Sequence, residues 1–149
     1  MSFREKTAWI GLVSTLVVFV PYFLYVFGLA SKSELDAGLV AGAFAALVLF
    51  STGLGIVSGI VVAVTSKQEP RDERDAAIES RAYRYAYFVL ATLCFTAVGL
   101  VSIAALVRPA LPDGRLLAPM LIAQVFLFCF VVAESTKYLT QALSYRRGA

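Results

Sequence analysis

Four apolar runs, each more than about 20 residues long, leave this chain little freedom in how it folds. They extend from about Thr7 to Ala30, Ala37 to Val64, Tyr85 to Val107 and Leu116 to Leu139. Runs of this length cross the hydrocarbon of a bilayer, where no water satisfies backbone amides, so each must be a helix bonded to itself. The runs and their short connections use nearly all 149 residues. A single all-α integral membrane domain over 1–149 is therefore expected, a bundle of four transmembrane helices with no separate soluble domain. Composition agrees: 60% of the residues are apolar and 15% charged, against about 25% charge in soluble domains.

The first run is too long for the apolar region of a cleavable leader, about 7–15 residues, and no convincing small-x-small site follows it. It is expected to stay as an anchor. Orientation follows from the basic residues, which concentrate on the cytoplasmic side. Ten of the 13 fall on one side: Arg4, Lys6, Lys67, Arg71, Arg74, Arg81, Arg84, Lys137, Arg146 and Arg147. Lys32, Arg108 and Arg115 fall on the other. Both termini and the 66–84 segment are thus expected inside a prokaryotic plasma (inner) membrane. The net charge of +3 reads as topology, with no direct nucleic-acid binding.

The chain has no histidine, which removes the commonest metal ligand and general base. Its two cysteines, Cys94 and Cys129, fall at similar depth in the third and fourth spans and read as small core residues. No catalytic set, metal site or cofactor is expected. In the second span Ser51, Gly55, Gly59 and Ala63 recur every four residues as one small-residue ridge. Such a ridge lets helices approach closely, either within the chain or across the seam of a homo-oligomer.

Nine of the chain's charged residues lie in positions 69–84. Pro70, then Asp72, Glu73 and Asp75, reads as a helix start, with carboxylates at the positive end of the helix dipole. Nothing breaks the helix before Pro109, so residues 71–107 form one helix of about 55 Å, against about 30 Å of hydrocarbon. The third helix is expected to extend into the cytoplasm over 71–84, with Ile78, Ala82 and Tyr85 as a packed stripe against the end of the fourth. Arg71 and Asp75 are spaced to pair along its exposed side. Acids rival bases here, so a surface-lying helix would gain little from anionic lipid. At the cytoplasmic mouth, Glu134 faces a choice of partner. Arg84 or Arg81 from the third helix, or Lys137 three residues along its own, would each neutralise it.

The stretch DERDAAIESRAYRYAY resembles the signature of an uncharacterised family of small four-span prokaryotic membrane proteins, known as domain of unknown function 2178. The residues that carry the resemblance are Asp72, Glu73, Arg74 and Asp75, then Ile78, then Arg81, Ala82 and Tyr83. The family implies no known activity. Its occurrence beside helix-turn-helix regulators implies a membrane protein that restrains a regulator.

Three functions compete. The first is a non-enzymatic regulatory or scaffold protein that shows Asp72, Glu73, Arg74, Asp75, Ile78 and Arg81 to a cytoplasmic or membrane partner. The second is a small oligomeric transporter or channel, with Gln124 as the best polar lining or interhelical group. The third is a membrane-embedded enzyme using the carboxylates of Asp72, Asp75, Glu79 and Glu134, whose spacing matches no catalytic motif.

Overall fold

A computed structural model describes residues 3–31, 36–65, 72–107 and 119–147. They form four helices: α1 (Phe3–Ser31), α2 (Ala37–Thr65), α3 (Glu73–Val107) and α4 (Pro119–Arg146). There is no strand among the described residues. Every helix is long and apolar enough to cross a membrane. Pro70, Arg71 and residues 32–35 and 108–118 lie outside the described residues, so the expected Arg71–Asp75 pair does too.

Two helix starts are built by aspartate. Asp36 Oδ1 accepts from the backbone N–H groups of Gly38 (2.5 Å) and Leu39 (3.3 Å), donors that the first turn of α2 would otherwise leave bare. Asp72 Oδ1 accepts from Glu73 N–H at 2.7 Å, and Asp75 Oδ2 reaches back to Asp72 N–H at 3.1 Å. The second of these is the returning half of a capping box. α1 continues through Pro21 as one helix.

The four helices are unequal partners. α4 packs extensively on both α3 and α1, while α2 packs mainly on α1 and less extensively. The apolar core therefore sits among α1, α2 and α4: Val18, Tyr22, Phe23 and Val26 meet Val40, Leu47 and Val131. Phe23 stacks edge-on against Phe128 at 5.1 Å, joining α1 to α4. α3 meets α4 through a narrow stripe of mostly small residues: Ile78, Ala82, Ala86 and Ala97 are buried. Alanines there let the two backbones approach closely. The expected stripe is right at Ile78 and Ala82 and wrong at Tyr85, which is 55% exposed. Ala86, a full helical repeat beyond Ala82, continues the contact line, and Tyr85 falls about 100° to its side.

The small-residue ridge of α2 lies outside the chain's own packing. α2 turns Val40, Ala43, Leu47 and Leu54 into the core. Ser51 is half-buried beside that line, but Gly55, Gly59 and Ala63 drift off it and are exposed. A Cβ at Gly55 or Gly59 would meet nothing within 4 Å. The reading of this ridge as a seat for another helix of the same chain therefore fails at its two glycines.

Hydroxyls within the spans serve their own helices. Ser51, Thr52, Ser58, Thr92, Thr96 and Ser102 each donate to a carbonyl three or four residues earlier. Gln124 does otherwise. It is buried on α4, and its Oε1 accepts from Tyr22 Oη on α1 at 2.7 Å. This amide is a strut between two helices, with its acceptor already occupied.

Candidate functional site

The charged groups gather where the start of α1, the start of α3 and the end of α4 meet. The start of α1 and the end of α4 accordingly lie at one end of the molecule. α3 begins there with its capping aspartate, and Asp75 and Glu79 follow one turn apart on one side of the helix. Arg4 of α1 reaches between them. Its Nε lies 3.0 Å from Asp75 Oδ2 and its Nη1 3.5 Å from Glu79 Oε1. The Arg4 and Asp75 side chains are only 18% and 17% exposed, so this contact is partly withdrawn from water. The Tyr145 hydroxyl of α4 lies beside Arg4, where it can accept from the guanidinium. One guanidinium thus ties α1 to α3 across the end of α4, two helices that otherwise share little surface. Beside it lies a cleft of about 320 Å³, walled by Arg4, Thr7, Glu79, Tyr138, Gln141 and Tyr145.

A second cluster sits one level deeper. Lys137 Nζ bonds to Glu134 Oε2 on its own helix. The ammonium lies 4.4 Å from the ring centroid of Tyr138 and 5.4 Å from that of Tyr83 on α3. Ring faces carry negative quadrupole, so the two tyrosines stabilise the cation where water is scarce. Lys137 is 11% exposed, low for a lysine, and its carboxylate and two rings account for that burial. Of the partners open to Glu134, the local one is taken. Arg84 is exposed and makes no ion pair with Glu134. The geometry explains why: residue 84 falls on the side of α3 opposite Ala82 and Ala86, the residues that touch α4.

The six expected docking residues therefore separate. Asp72, Glu73 and Arg74 stand exposed at the tip of α3. Asp75 is held by Arg4, and Ile78 is buried in the helix contact. Arg81 is exposed, on another side of α3 from Asp75 and Glu79. Cys94 and Cys129 are neighbours across α3 and α4, and both are free thiols. Among the described residues no three His, Cys, Asp or Glu side chains are grouped to hold a metal.

Sequence reasoning missed Arg4, Glu79 as its partner, and the aromatic clamp on Lys137. A signal for Arg4 was present: a cation next to an apolar run needs a counter-charge, and the 69–84 segment holds five acids. The pairing spans 71 residues from Arg4 to Asp75, and no local pattern reaches that far.

No protein-family model matches the chain, and no curated protein or solved structure shows detectable similarity to it. The resemblance at 72–83 thus stands on those residues alone.

Proposed function

We propose that this is a non-enzymatic, multi-pass protein of a prokaryotic plasma membrane that presents the tip of α3 to a cytoplasmic or membrane partner. Both termini are cytoplasmic, and the first turns of α3 project beyond the hydrocarbon. α3 has 35 residues, about 52 Å at 1.5 Å per residue, against about 30 Å of hydrocarbon. The surplus belongs at its charged end, because the rest of the helix is apolar.

One observation carries the docking reading. The start of α3 is fastened twice, by Arg4 through Asp75 and Glu79 and by Ile78 and Ala82 against α4, while Asp72, Glu73 and Arg74 stay exposed just beyond. A held tip with mixed charge suits specific recognition, since little conformational entropy is lost when it is engaged. A partner that restrains or is restrained by this protein would meet both signs of charge there. That fits the regulator association implied by the resemblance.

The test is photocrosslinking in native membranes, with the reactive group at Arg74 and a control at Asp36 on the opposite end. The expected result is one protein trapped at Arg74 only, and lost when Asp72→Asn and Glu73→Gln are added while the chain still inserts. Trapping at neither position in a well-inserted protein, or equal trapping at both, would overturn the reading.

A further inference from the structure

Charges that alternate along α3 in sequence are sorted by the fold onto two sides. Asp75 and Glu79 turn toward Arg4 and α1. Arg81 and Arg84, at about 100° per residue, come round on the opposite side of the α4 contact line. Two adjoining clefts open there, one between α3 and the end of α4 and one along α3 itself. One, of about 260 Å³, is lined by Arg81, Tyr85, Thr140, Leu143, Ser144 and Arg147. The other, of about 350 Å³, is lined by Arg81, Arg84, Tyr85 and Phe88. They share Arg81 and Tyr85, so together they form one groove. Every charged side chain lining it is an arginine, and no carboxylate does.

We infer that this groove binds the headgroup of an anionic phospholipid. Arginine forks match the oxygens of a phosphodiester, and three of them around one groove supply more charge than one phosphate carries. The hydroxyls of Thr140 and Ser144 flank the cationic wall and suit the glycerol and ester oxygens of a lipid. The deep end of the groove is Phe88, 71% exposed, at the start of the apolar length of α3. A bound headgroup would therefore lead its acyl chains onto a surface already suited to them. An acidic peptide would satisfy the arginines and leave Phe88 bare, so a lipid is the better fit. The earlier expectation that a near-neutral helix gains little from anionic lipid averaged over charges that the fold separates. This inference rests on the membrane reading but not on the docking of a partner. Nor does it need the orientation, since headgroups lie at both faces of a bilayer.

The experiment is native mass spectrometry of the full chain, stripped of lipid in detergent and then given phosphatidylglycerol or phosphatidylcholine with the same acyl chains. The wild type should retain phosphatidylglycerol at least about fivefold better, given an attraction on the order of 1 kcal/mol per basic residue near an anionic headgroup. Arg81→Gln, Arg84→Gln and Arg147→Gln together should abolish that preference. Arg74→Gln, an equal loss of charge per site outside the groove, should keep it. Arg81→Gln alone, at the junction of both clefts, should show the same direction if the triple variant loses helix content by circular dichroism. Equal retention of the two lipids would overturn the inference, as would an intact preference in a folded groove variant. So would complete displacement of phosphatidylglycerol by millimolar inorganic phosphate, which would mark an anion site with no use for the lipid. Resistance of the same protein to alkaline carbonate extraction scores insertion separately, so failure of the groove and failure of the membrane reading are distinguishable.

Discussion

At Gly11 the edge of the Tyr138 ring occupies the space that a side chain would need: an added Cβ would stand 2.6 Å from Cε1 and 2.8 Å from Cδ1. Tyr138 also holds Lys137, so its ring has little freedom to retreat. Gly11→Ala should therefore lower the stability of the purified protein by about 1–3 kcal/mol, read by denaturant titration in detergent. Gly53→Ala, with nothing within 4 Å, should be neutral or stabilising by less than about 1 kcal/mol, through helix propensity alone. The Tyr22–Gln124 strut makes a different demand. Tyr22→Phe leaves a buried amide short of a donor, and Gln124→Leu leaves a buried hydroxyl without its acceptor. The double variant should be less harmed than the two single losses together, with a coupling of about 0.6–2 kcal/mol. Additive losses would mean that the bond contributes nothing beyond packing.

Among the elements, the helices themselves were legible and their neighbours were not. Each span declares itself by length and hydropathy, because an apolar run of that size has no other stable state in lipid. Which face of a span meets protein is harder, since lipid tails are as apolar as leucine and no contrast marks the seam. α3 shows the exception. Ile78 and Ala82 could be picked out because charged neighbours gave that stretch contrast, whereas Ala97, deeper in, carried no such mark. The glycine ridge of α2 misled for the same reason: small residues permit close packing but do not require it. The charged head of α3 also makes a prediction at this scale. Asp75→Asn with Glu79→Gln should release Arg4 and loosen the first turns, so amides of 76–82 should exchange with deuterium faster. Amides of 93–103 should be unchanged, because their packing on α4 is apolar. Uniform acceleration along α3 would show instead that the cluster supports the whole helix.

For the whole molecule, the start of α1 meets the start of α3 and the end of α4 at one end. With Cys94 and Cys129 replaced by serine, a cysteine introduced at Glu73 should react with a membrane-impermeant maleimide in inside-out vesicles and not in intact cells. The reverse would invert the proposed orientation while leaving the fold untouched. The sole tryptophan, Trp9, is half-buried near the same end, six residues into α1. In bilayers its fluorescence should be quenched better by bromine near the headgroups than by bromine near the bilayer centre.

The unequal packing also bears on how the protein is made. α1 and α2 leave the ribosome first and can pair at once, but α3 emerges with its broad neighbour still unsynthesised. Until α4 follows, the chain is a hairpin and a solitary helix, joined by little more than the grip of Arg4 on Asp75 and Glu79. The final segment to be translated is therefore the keystone of assembly. A premature stop between Val107 and Pro119 would deliver α1 and α2 as a pair and leave α3 without the helix that it packs on most.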